Sequence, residues 1–117
     1  FEALVAANKR MYNILKKVDS KVLNLQELTI NETLFSEVAE KDLYNILNEV
    51  ATTSMQYYQQ QDYTKSLIEL EKLKNNIDIF FEKVMVNVDD INNKNNRLAL
   101  LNSLFAVMNK IADLSKL

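Results

Sequence analysis

Leu98-Ala99-Leu100-Leu101-Asn102-Ser103-Leu104-Phe105-Ala106-Val107-Met108 is the stretch that decides the fold. Nine of its eleven residues are apolar. At about 100° per residue they leave almost no side of a helix polar. A helix apolar all round is buried on several faces. It therefore either forms the centre of a small bundle or docks against another protein surface.

The remainder of the 117-residue chain is helical material as well. Gly, Pro, Cys, His and Trp are all absent. Without Gly, the primed turns of tight hairpins are hard to build, and the phosphate-cradling loops of P-loop and dinucleotide-binding proteins are excluded. Without Cys and His there is no thiol nucleophile, disulfide, imidazole base or zinc site of the usual kind. No apolar run approaches the roughly 20 residues of a membrane helix. The chain opens at Phe1, without an initiator Met, on residues that already read as helix, which suggests a fragment of a longer protein. Fifteen Asn and twelve Lys against two Arg suggest an AT-rich genome.

The spacing predicts four long helices in one all-α domain, an antiparallel bundle. The first runs from Glu2 to about Val18, with Leu4, Ala7, Met11, Ile14, Leu15 and Val18 inward. Residues 19–31 lose the period and read as a connection, with a short turn around Leu23 to Leu28. The second spans about Thr33 to Gln61, with Leu43, Leu47, Val50, Ser54 and Tyr57 as its inner stripe. Asp62 is the expected N-cap of the third. That helix carries Leu67, Leu70, Leu73, Ile77, Phe80, Phe81, Val84 and Val88, and Asn75-Asn76 is the expected place for a kink. Asp89 to Asn95 reads as a loop, and the last helix as running from about Asn96 to Leu114. Phe80-Phe81 reads as a core aromatic pair.

Charge is uneven. Residues 1–30 carry a net +2 and residues 31–62 a net −5, within a total of −2. On a wheel with Lys9 at 0°, Lys16 falls at about 340°, Asn13 at about 40°, Lys17 at about 80° and Arg10 at about 100°, with the apolar set centred near 190°. Lys9, Arg10, Asn13, Lys16 and Lys17 thus form a polar face suited to phosphate contacts. A solvated outer surface would look the same. A second cluster is Lys94, Asn95, Asn96 and Arg97, where a helix N-terminus also offers free amides. The competing reading has Asn96 capping the helix and Arg97 paired with Asp89 or Asp90. Tyr57, Tyr58 and Tyr63 could stack bases, but their acidic surroundings favour packing roles. An EF-hand starting at Asp89 would need Gly at Lys94 and Glu at Leu100, so that reading fails. The scattered glutamates form no catalytic constellation.

Several strings in series carry a family resemblance. They are Ala6-Ala7-Asn8-Lys9-Arg10 with Asn13-Ile14-Leu15-Lys16-Lys17, then Ala39-Glu40-Lys41 with Leu43-Tyr44, then Asp62-Tyr63 with Leu67, Leu70 and Leu73. Asp78-Ile79-Phe80-Phe81-Glu82-Lys83-Val84-Met85-Val86 is the most specific. Asn96-Arg97-Leu98-Ala99-Leu100-Leu101 and Ala112-Asp113-Leu114-Ser115 follow. Together they resemble the C-terminal region of the bacterial glycyl-tRNA synthetase beta subunit, with Glu82 where the family usually has Asp.

The resemblance implies a helical anticodon-binding domain similar to those of arginyl- and methionyl-type synthetases. It implies that the chain holds the anticodon arm of glycine tRNA, orients it for aminoacylation at an alpha subunit, and works in the cytoplasm with the rest of the beta subunit. Catalytic residues and cofactors are then expected to be none in this chain, with ATP used elsewhere in the parent complex, and no membrane or DNA partner is expected. The RNA-binding residues so implied are Lys9, Arg10, Asn13, Lys16, Lys17, Lys94, Asn95 and Arg97. The alternative is a protein-interaction module that docks through the apolar last helix.

Overall fold

The structure, a computed structural model, describes residues 2–18, 21, 23–86 and 88–111. Among these residues, five α-helices and two single 3₁₀ turns form the expected all-α bundle: α1 (Glu2–Leu15), the turns Leu25–Glu27 and Glu32–Leu34, α2 (Val38–Gln59), α3 (Tyr63–Glu71), α4 (Lys74–Lys83) and α5 (Ile91–Ile111). Among the described residues no helix is long and apolar enough to cross a membrane.

Helix α1 buries Leu4, Asn8, Met11 and Leu15, one residue per turn. It ends three residues short of the expected Val18, because the Lys17 and Val18 amides bond to carbonyls three residues back instead of four. Asn8 sits inside the apolar stripe at 1% exposure, where its Oδ1 accepts from Asn109 Nδ2 at 2.8 Å. That pairing satisfies a buried amide that would otherwise be costly.

The predicted second helix begins later than Thr33, since residues 32–34 form a separate turn capped by Asn31. Helix α2 starts where the Glu40 carboxylate accepts the Glu37 amide at 3.2 Å. It stops at Gln59, two residues before the expected end. Gln61 takes a left-handed φ of 62°, and the Asp62 amide reaches back to the Tyr57 carbonyl at 2.9 Å while that of Gln61 reaches Tyr58. This closure usually uses Gly, which the sequence lacks. Asp62 then caps α3 as expected, accepting the Lys65 amide at 3.2 Å. Ser54 and Ser66, both fully buried, exchange hydroxyl-to-carbonyl bonds at 3.0 and 2.9 Å between α2 and α3. Their small side chains allow that close approach.

The predicted third helix is two helices, and the break lies at Lys72-Leu73 rather than Asn75-Asn76. The Lys72 and Leu73 amides bond to the carbonyls of Glu69 and Leu70, a 3₁₀ step that lines up residues three apart. The step keeps Leu70, Leu73 and Ile77 all at 1% exposure or less. Burying three large side chains outweighs the few tenths of a kcal/mol by which Asn disfavours a helix. Val84 ends α4 in an extended conformation and remains in the core, and Val88 lies outside any helix.

The expected loop 89–95 is mostly helix. Asp90 Oδ1 accepts the Asn92 and Asn93 amides at 3.0 and 3.2 Å, so α5 begins at Ile91. Residues 112–114 of its expected C-terminal end lie outside the described residues. From Asn96 to Leu101 every residue of α5 is buried. The helix packs on α1, α2, α3 and both 3₁₀ turns. Leu98 to Leu101, Leu104 and Met108 of the apolar stretch are thus enclosed by the chain itself, while Phe105 and Val107 are half-buried and Ala106 is exposed.

Candidate nucleic-acid interface

The two cationic clusters read from the sequence meet in space, though not with every member. Arg10 and Lys17 of α1 and Lys94 and Asn95 of the first turns of α5 line one surface cleft of about 920 Å³. Its floor and far wall are apolar: Ile14 from α1 and Val18 just after it, Phe81 from α4, Ile91 and Leu98 from α5, and the segment from Val84 to Val86 between α4 and α5. Met85 and Ile91 stand 72% and 61% exposed at its edge, large apolar residues presented to whatever enters.

The wheel explains the division of α1. Arg10 and Lys17, at about 80–100°, flank the inward stripe on the Ile14 side, so they overhang the groove. Lys9, Asn13 and Lys16, between about 340° and 40°, are exposed but do not line it. The Lys16 ammonium instead lies 5.5 Å from the Tyr12 ring.

Arg97 leaves the set. Its side chain is 7% exposed and points into the interior, where Nη2 donates to Glu40 Oε1 at 3.0 Å and Ser36 Oγ at 3.1 Å, and Nη1 donates to the Met85 carbonyl at 2.6 Å. A guanidinium so enclosed cannot meet a phosphate, and its partner is Glu40, not Asp89 or Asp90. What it does is clamp the Met85 wall of the cleft to α2 and α5. Asn96 is no cap either: its side chain accepts the Asn31 amide at 2.7 Å and donates to the Asn31 carbonyl at 3.0 Å, pinning the 3₁₀ connection onto α5.

Phe81 is the residue that sequence reasoning missed. Phe80 is fully buried as expected, but Phe81 is half-buried and carries the Arg10 guanidinium 4.2 Å from its ring centroid. The signal was available: Phe81 sits about 70° off the direction shared by Ile77 and Phe80, at the edge of the stripe. A smaller hollow of about 370 Å³ continues on the other side of the Arg10–Phe81 pair, lined by Ala3, Ala6 and Ala7 of α1 and by Asp78 and Glu82 of α4. The groove is therefore cationic at one end and anionic at the other. Tyr58 and Tyr63 pack edge to face at 5.3 Å across the α2–α3 turn and line neither hollow. No group of three His, Cys, Asp or Glu among the described residues could hold a metal.

An all-α bundle whose surface groove joins a cationic rim to an apolar floor is a helical binding domain. Residues 4–116 match the DALR anticodon binding domain, and the chain belongs to that family. It is 49% identical over 115 residues to the glycine–tRNA ligase beta subunit of Delftia acidovorans and 50% identical over 116 residues to that of Coxiella burnetii. The beta subunit of Methylobacillus flagellatus is 49% identical over 115 residues. These alignments cover 98%, 99% and 98% of this chain, and the chain spans 16% of the length of each relative.

Proposed function

We propose that this chain binds the anticodon arm of glycine tRNA as one domain of a glycine–tRNA ligase beta subunit, and orients that tRNA for aminoacylation at an alpha subunit. The observation that supports this best is the cleft, which gathers Arg10, Lys17, Lys94 and Asn95 over an apolar floor. Cations at the rim suit phosphates, while the apolar floor suits bases that have left the stack. Lys9, Asn13 and Lys16 add a flanking cationic face for phosphates further along the arm. Activation of glycine with ATP belongs elsewhere in the assembly, and the site of action is the cytoplasm. Three cations lining one groove, in a chain of net charge −2, supply modest electrostatic affinity. Base contacts are then expected to carry much of the discrimination.

The test is equilibrium binding of glycine tRNA, and of the same tRNA with swapped anticodon bases, to the full alpha–beta assembly carrying this domain, titrated with salt. A preference for the native anticodon above about 1 kcal/mol per changed base supports anticodon readout. Equal binding of both tRNAs, lost steeply with salt, would reduce the domain to a phosphate holder.

A further inference from the structure

We propose that the Arg10 guanidinium, held over the Phe81 ring, is the stacking platform for one unpaired base of the bound RNA. The inference rests on the RNA-binding reading above and names the residue that would receive a base. Phe81 fixes the guanidinium from one side at 4.2 Å, and is itself held edge to face against the fully buried Phe80, with ring centroids 5.7 Å apart and planes at 74°. Arg10 is exposed and lines both hollows, so the side turned away from Phe81 is open to the groove. A planar, weakly hydrated cation of this kind stacks on bases as an aromatic ring does, whereas an ammonium does not.

The surroundings fit a base better than a phosphate. Asp78 and Glu82 line the hollow on one side of Arg10, and their charge opposes a phosphate chain passing beyond it. Lys17 and Lys94 lie on the other side, toward which the backbone would be drawn. Among the described residues no carboxylate lies within ion-pair distance of Arg10, so its guanidinium is held by the ring and not by an acid. The strand would run along the Lys17–Lys94 end, with one base reaching in to Arg10.

The experiment is a thermodynamic cycle in the full alpha–beta assembly. Arg10→Lys keeps the charge and removes the plane. Phe81→Leu keeps apolar bulk and removes the ring. Each is measured against glycine tRNA whose anticodon-loop bases are replaced one at a time by abasic nucleotides. Wild type should lose about tenfold in affinity at one loop position. Arg10→Lys should lose about tenfold on intact tRNA with the salt slope unchanged, and should lose nothing more at that abasic position, because the two changes remove one contact. Arg10 is exposed, so its variant should fold even where Phe81→Leu does not, and thermal unfolding of both checks this. If Arg10→Lys binds as wild type does while Lys17→Ala and Lys94→Ala weaken binding, the platform is overturned and the RNA-binding reading survives. If wild type binds no tRNA through this domain, so that substitutions at Lys17, Lys94 and Arg10 are all silent, both fall together.

Discussion

Arg97 donates to Glu40 at 3.0 Å across 57 positions of sequence, and both side chains are at least 93% buried. The Lys65–Asp62 and Lys72–Glu69 pairs, by contrast, join residues three apart along the chain. The interior pair ties the N-terminus of α2 to the second turn of α5, and through the Met85 carbonyl it also holds the wall of the cleft. Removing one member leaves the other charged, buried and unpaired. Arg97→Ala is therefore expected to destabilise by about 3–5 kcal/mol in urea unfolding. The double variant Glu40→Leu with Arg97→Met should lose much less than the sum of its single changes, and an additive loss would show that the pair is not coupled.

Asn96 offers both an acceptor and a donor to the backbone of Asn31, at 2.7 and 3.0 Å. Asn96→Ala should cost about 1 kcal/mol, the ordinary net worth of a lost hydrogen bond, because Asn31 is exposed and water can reach part of what is vacated. Asn96→Asp should be worse, since a carboxylate oxygen would replace the donor facing the Asn31 carbonyl. Chemical denaturation of the three proteins side by side decides the order.

Gln61 holds a φ of 62° that a side chain with a Cβ disfavours. Gln61→Gly should raise stability by about 1 kcal/mol, while Gln61→Ala should bring no such gain, because alanine keeps the Cβ. Equal effects of the two changes would mean that the turn carries no strain.

Within the RNA reading, Lys17 and Lys94 act through charge at the cleft rim. Each change to Ala should weaken binding of every tRNA sequence alike and reduce the salt slope by about 0.7 for a single-stranded contact. The pair Lys9→Ala with Lys16→Ala, placed outside the cleft, should change the slope less. A larger effect from the outer pair would move the binding face around α1, away from α4.

Lys72 is held above its ordinary value of 10.5, first by its hydrogen bond to Glu69 at 2.8 Å and then by that carboxylate's charge. A raised folded pKa contributes stability that is fully present below 10.5 and lost as pH rises beyond it. The chain has neither His nor Cys, the side chains that ordinarily titrate near neutrality. Thermal midpoints should accordingly stay level from about pH 6 to 9, and the Lys72–Glu69 contribution is lost as pH rises past Lys72's ordinary value. A midpoint that moves near pH 7 would contradict this.

The sequence by itself determined the helical class, the bundle, the burial of the last helix on several faces and the Asp62 cap, because each follows from local chemistry. Apolar residues recurring every three to four positions select an inward face whatever lies opposite. An aspartate before a helical run satisfies orphan amides wherever the helix goes. The cationic flank of α1 was legible in the same way, as one face; that Arg10 and Lys17 line the cleft while Lys9 and Lys16 do not depends on what packs beside them.

Only the tertiary structure decided the rest. It placed the break at Lys72-Leu73, because three leucine- and isoleucine-sized side chains had to reach one core. It carried Arg97 inward to Glu40 and put Phe81 beneath Arg10. Each of these depends on a partner that is distant in sequence or on the summed packing of several helices. A residue's local pattern records which way it faces, but not what it meets there.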